Sequence, residues 1–147
     1  MSRSDDAISC FKGGFNCAQA VLSTYCEQYD LDRETALKLA CPFGGGMARM
    51  GNICGAVTGA FMLIGLKYGK HVPEDKEAQE TTYRLVREFT ARFTEMYGSI
   101  KCSDILSCDI NTEKGRNFAV EHGLFTTLCP CYVGDAAKII EDLLELK

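Results

Sequence analysis

Nine cysteines in 147 residues are where this chain concentrates its reactive chemistry. The thiolate, rather than the thiol, is the nucleophile and the metal ligand, so each cysteine has to be asked what would hold it ionised. The start of an α-helix can do so, because its first N–H groups lack intrahelical partners and the macrodipole is positive there. Several cysteines fall at such starts. Cys17 follows Asn16, a good N-cap, and Cys54 follows Asn52, another. Cys102 heads the short run Cys102-Ser103-Asp104-Ile105-Leu106, and Cys129 and Cys131 flank Pro130, a residue favoured in a first helical turn. Cys129 is then expected as the cap residue, with Cys131 just inside the last helix. The same field is expected to act at each start. If those starts meet at one end of a bundle, the molecule carries a cluster of sulfur.

Three kinds of chemistry fit such a cluster. The first is dithiol–disulfide exchange or electron relay by a thiol–disulfide oxidoreductase, with Cys54 or Cys17 attacking and Cys129 or Cys131 resolving the mixed disulfide. It requires no cofactor, and its partner is a small thiol or a redox protein. The second is a metal or iron–sulfur site, with Cys17, Cys54, Cys102 and Cys129 as ligands to zinc or a cluster. Only His71 and His122 could add nitrogen, so the site would be almost all sulfur. The third is a structural or interaction protein whose thiols are core residues, assembled as a homodimer on a glycine-faced helix. An odd number of cysteines without an export signal argues against a full disulfide framework. No Cys-x-x-Cys pair is present, so neither a thioredoxin-like motif nor covalent haem attachment is indicated. Cys26 and Cys41 are expected as small buried hydrophobes.

The glycines belong to the same stretch. Gly51, Gly55 and Gly59 recur every fourth residue, and glycine inside a helix costs roughly 1 kcal/mol relative to alanine. Close helix packing is one reason to keep them. The other is room beside Cys54, at Gly55, for a second sulfur, a metal or a substrate. Gly45 and Gly46 are candidates to line the same ligand site. With Gly44 they lack the Lys-Ser/Thr of a phosphate loop and follow no strand, so a tight turn is expected there.

The elements that must position these residues read as helices throughout. A short helix is expected over residues 4–11, stopped by Gly13 and Gly14; the next starts at Cys17 with Ala18, Val21, Leu22 and Tyr25 on its apolar stripe. Asp32 caps a third, which ends at Cys41-Pro42. The central helix starts near Asn52. Pro73 starts the longest, over residues 74–97, with Leu85, Val86, Phe89, Phe93, Met96 and Tyr97 at helical spacing and Gly98 as its end. A weaker helix follows over residues 112–122, interrupted by Gly115, and a final one carries Val133, Ala136, Ala137, Ile140 and Leu144 inward. No run alternates apolar and polar residues as a strand would. The expectation is an all-α, single-domain bundle of about six helices spanning residues 1–147.

The composition, 46% hydrophobic and 24% charged, suits a globular core. A net charge of -4 with pI near 5.2, and no cluster of Lys and Arg, argues against nucleic acid as partner. A small anionic ligand stays open. The N-terminus has no apolar stretch of signal-peptide length, which makes the cytoplasm the expected location. The apolar run over residues 53–66 falls short of the ~20 residues of a membrane span and is followed by Lys67, so no membrane insertion is expected.

The phrases Asn16-Cys17-Ala18-Gln19-Ala20-Val21-Leu22, Phe43-Gly44-Gly45-Gly46 and Cys54-Gly55-Ala56-Val57-Thr58-Gly59-Ala60, followed by Cys102 and a late cysteine, resemble the C_GCAxxG_C_C family of redox-active proteins. The resemblance covers nearly the whole chain, and the central Cys-Gly-Ala-x-x-Gly element is met letter for letter from Cys54 to Gly59. It implies a redox role for Cys17, Cys54, Cys102 and one of the pair Cys129 and Cys131. The family is also similar to split-Soret cytochromes, but the haem attachment motif is absent here and no haem is implied.

Overall fold

The computed structural model describes residues 2–146. Helix α1 covers Arg3–Lys12, α2 Cys17–Tyr25, α3 Arg33–Ala40, α4 Gly55–Tyr68 and α5 Lys76–Tyr97. After these come α6 Cys102–Leu106, α7 Glu113–Glu121, α8 Leu124–Thr127 and α9 Cys129–Leu143. Short 3-10 turns, Cys26–Tyr29 and Cys41–Phe43, extend α2 and α3. Among the described residues the only strand-like pairing is one isolated antiparallel bridge, Ile53 with Lys101. The all-α expectation therefore holds. The expected number of about six helices is too low: α6 falls where a short helix start is expected at Cys102, but α8 is shorter than the window over which a helical period declares itself.

Helices α2 and α4 approach backbone to backbone, and glycine makes this possible. A Cβ added at Gly59 would lie 2.9 Å from the Ala18 carbonyl oxygen and 3.2 Å from Val21 Cβ; one added at Gly55 would lie 2.9 Å from the Ala18 nitrogen. Backbone atoms cannot swing aside as side chains can, so any larger residue would push the helices apart. Gly51, the third member of the expected row, lies outside the helix, in the loop before it, at φ +74. Since Gly55 and Gly59 close on α2, this face is not open to a second chain.

Helices α1, α2, α3, α5 and α7 each start at a residue whose side chain accepts from an opening amide. Asn16 and Gln19 form a capping box, each side-chain oxygen accepting from the other's backbone N–H at 2.9 Å. Helix α5 starts at Lys76 rather than at Pro73, because Asp75 caps it by accepting from Ala78 N–H at 3.0 Å. It ends as expected at Gly98, in the left-handed conformation. Helix α7 runs through Gly115, whose N–H binds the capping Thr112 hydroxyl at 2.9 Å.

Helix α9 lies against α1, α2, α4 and α5 and brings Val133, Ala136, Ala137 and Ile140 into the core. Leu85, Phe89 and Phe93 are the buried face of α5. Phe61, Phe89 and Phe93 stand about 6 Å apart ring to ring, and Tyr97 meets Tyr132 edge to face at 4.8 Å. This aromatic column leads to Tyr132, whose hydroxyl donates to the Ile105 carbonyl at 2.7 Å and ties α9 to α6. The reactive end of the molecule begins there. No helix among the described residues is long and apolar enough to cross a membrane.

Candidate functional site

Cys54 is the N-cap of α4, with φ -52 and ψ 135, one residue before the helix rather than inside its first turn. Its carbonyl accepts from Val57 and Thr58, both at 3.0 Å. Asn52, the expected cap, lies in the extended segment before it and binds elsewhere: its carbonyl accepts from Cys102 N–H at 2.6 Å, while Cys54 N–H donates to Ile100 at 2.8 Å. These two bonds flank the Ile53–Lys101 bridge. They join the start of α4 to the start of α6, so two cysteines far apart in sequence are tied by backbone.

Cys17 is the first residue of α2 and meets this junction through the glycine contact: a Cβ at Gly55 would lie 3.1 Å from Cys17 Cβ. Cys129 arrives from α9 without a free helix start. Leu128 N–H donates to Leu124 and Tyr132 N–H to Leu128, so α8 runs into α9 with Cys129 inside a continuous helical path. The expectation that Cys129 caps a helix is corrected by that continuity. Cys131 points away, exposed, with its thiol 3.6 Å from the Thr127 carbonyl. Of the Cys129 and Cys131 pair, Cys129 is the one that joins the other sulfurs.

Cys17, Cys54, Cys102 and Cys129 line one cavity of about 710 Å³ and are themselves buried, at 8%, 3%, 7% and 7% exposure. Gly44, Gly45, Gly46 and Gly55 form part of its wall. Cys41 lines it too, but is exposed, contrary to the expectation of burial. Pro42 ends α3 and turns Cys41 outward in a 3-10 turn, where Asn16 Nδ2 holds its carbonyl at 3.0 Å. Cys26 is buried in the core as expected.

The thiols are not equivalent. Cys54 is held below the usual thiol range, first by the neighbouring Cys17 thiol and then by the opening amides of Ala56 and Val57, against the cost of burial. Cys17 is pushed well up by its neighbours Cys129 and Cys54, and by burial. Of these two thiols, Cys54 is therefore the readier to ionise. Burial pushes Cys102 up to about 12, with the charges of Cys54 and Cys129 adding to it. Sharing a position at a helix start does not give these cysteines a common field, since α6 is too short for much of a dipole and burial outweighs it.

The glycine turn has an unexpected hand. Gly45, Gly46, Met47, Ala48 and Arg49 all have φ between +50 and +68, a full left-handed turn in which the last three are not glycine. Each such residue costs roughly 1–2 kcal/mol. Hydrogen bonds from Ala48 N–H to Pro42 at 2.8 Å, Gly51 N–H to Gly45 at 3.1 Å and Asn52 N–H to Gly46 at 2.9 Å hold the turn. Gly46 is required: a Cβ there would lie 2.8 Å from Cys102 Cβ and 2.6 Å from Asn52 N. The turn sets Arg49 on the cavity wall, and Arg116 lines it from α7, fixed by donating to Ile110 and Asn111 carbonyls at 3.0 and 3.2 Å. No Asp or Glu lines the cavity. Cys41, Arg49 and Arg116 carry no sequence signal that would single them out.

Among the described residues no three His, Cys, Asp or Glu side chains are arranged to hold a metal ion. The sulfurs that meet do so in a Cys17-centred group with Cys54 and Cys129.

No curated protein and no solved structure matches the chain. The family model described as "Putative redox-active protein (C_GCAxxG_C_C)" matches residues 15–143, which include every cysteine lining the cavity. With most of its length covered, the chain belongs to the C_GCAxxG_C_C family.

Proposed function

We propose that the chain carries out dithiol–disulfide exchange at Cys54, with Cys17 or Cys129 as the resolving thiol. The observation that carries this reading is the adjacency of the Cys17 thiol to both Cys54 and Cys129, with Cys54 the thiol held below its usual range. In the first step the Cys54 thiolate attacks one sulfur of a disulfide. A new S–S bond forms, the old one breaks, and the leaving thiolate takes a proton from solvent. The second step needs Cys17 to ionise. The charge on Cys54 is one of the causes holding the Cys17 proton in place, and the mixed disulfide has lost that charge. Reaction of Cys54 thus removes one of the causes that raise Cys17, while the Cys129 thiol and burial continue to act on it. The Cys17 thiolate, or that of Cys129, then attacks Cys54 sulfur and expels the second thiolate. Two electrons pass to the substrate disulfide, and the protein keeps an internal one.

Trapping of the intermediate tests the roles. Reduced Cys17→Ser/Cys129→Ser protein treated with a small disulfide should accumulate a mixed disulfide on Cys54, read by mass, where the unaltered protein does not. Cys54→Ser should take up no adduct on Cys17, Cys102 or Cys129. Adduct formation on Cys102 or Cys129 of Cys54→Ser at the original rate would overturn the assignment. Anaerobic metal and sulfide analysis separates the other chemistry, since stoichiometric zinc or iron with sulfide would favour ligation by Cys17, Cys54, Cys102 and Cys129.

A further inference from the structure

The cavity around the cysteines has a charge of its own. Among the described residues Arg49 and Arg116 are the two basic side chains on its wall, and no Asp or Glu joins them, in a molecule whose net charge is -4. Among the described residues neither lies within ion-pair distance of a carboxylate. Arg116 is half-buried and spends part of its guanidinium on two backbone carbonyls, while Arg49 is placed by a turn that costs backbone strain. The remaining wall is largely apolar, with Phe11, Ile105, Ile110, Val120 and Phe125. A volume of about 710 Å³ is of small-molecule size and far too small for a folded protein substrate to enter.

Resting on the dithiol reading above, we infer that the cavity selects a small anionic disulfide, an acid-bearing molecule with a short apolar chain on either side of its S–S bond. Arg49 and Arg116 take its acid groups, the apolar wall takes its chain, and its sulfurs come to Cys54. Guanidinium groups suit carboxylates because they donate paired N–H bonds in a fixed plane. They also offset the repulsion that a substrate anion would meet from the Cys54 thiolate. The reaction reduces one disulfide to two anionic thiols and converts two cavity thiols to a disulfide. An external dithiol reductant then restores the protein, taking the oxidising equivalents in the same two-electron exchange.

The test compares matched disulfides under argon at low ionic strength: dithiodipropionate, hydroxyethyl disulfide and cystamine, which are anionic, neutral and cationic. The second-order rate of thiol loss from the reduced protein is divided by the rate of each disulfide with a free small thiol, which removes intrinsic reactivity. The anionic disulfide should be favoured over the neutral one by about tenfold, the size of one charge-assisted hydrogen bond at the transition state, and over the cationic one by more. The preference should shrink at high salt. Arg49→Gln, which breaks no bond to the backbone, should lose several-fold of it, read as the ratio of anionic to neutral rates; Arg116→Lys, which keeps the charge but not the paired N–H bonds, should retain only part of it. Reaction with all three at equal normalised rates, or a preference untouched in Arg49→Gln/Arg116→Gln, would overturn the inference while leaving the dithiol reading intact. Failure of every disulfide to oxidise the cavity thiols would overturn both.

Discussion

At the scale of single residues, chemistry is decided by which of several similar thiols holds its proton. Cys54, Cys17 and Cys102 are all buried at one cavity, yet one is lowered and two are raised. The first cause at Cys54 is the Cys17 thiol, so Cys17→Ala should move the pH profile of Cys54 alkylation upward. In the unaltered protein, labelling of Cys54 should persist as pH falls below the ordinary thiol range, because its thiolate survives there. In Cys17→Ala it should fade at higher pH. Peptide-resolved labelling with iodoacetamide reads both curves, and coincident profiles would contradict the pairing. Cys17, Cys54 and Cys102 were legible as a set because each stands at a helix start. What the letters could not carry was burial, which sets the sign of each shift. Nor could they separate Cys129 from Cys131. Those two lie on different sides of a helical path that continues through Pro130 from α8, a helix too short to be foreseen.

At the scale of elements, the site is made by three local devices: the capping box of α2, the glycine contact of α2 with α4, and the left-handed turn over residues 45–49. The first was readable in part, at Asn16 as an N-cap, while the reciprocal bond from Gln19 came with the structure. The second was readable in part. Gly55 and Gly59 do pack, but Gly51 falls in the loop, since it precedes both Asn52 and the actual cap Cys54. The hand of the turn was not readable, as Met47, Ala48 and Arg49 have no preference for positive φ. Ala48 is exposed and nothing in the turn depends on its methyl group, so Ala48→Gly should relieve strain and raise stability by about 1 kcal/mol. Chemical denaturation of the two proteins measures it. A loss of that size on substitution would mean that the turn is not held in this conformation in solution.

At the scale of the whole molecule, the helical class and the order of the main helices follow from hydrophobic period and caps, which are properties of neighbouring residues. The meeting of Cys17, Cys54, Cys102 and Cys129 is not local. It depends on α2 reaching α4 through glycine, on the backbone bridge between residues 53 and 101, and on Tyr132 tying α9 to α6. The cationic wall is less local still, since Arg49 comes from the strained turn and Arg116 from α7. Those associations bring into one cavity residues that a net charge of -4 and scattered cysteines leave apart. The most direct measurement is therefore a disulfide map. Reduced protein is equilibrated in redox buffers of rising potential, alkylated, digested and read by mass. The expected result is one two-electron transition in which Cys54 becomes linked to Cys17 or to Cys129, while Cys26 and Cys131 remain free thiols. A Cys54 still alkylated after full oxidation of the others, or linked to Cys131, would contradict the account.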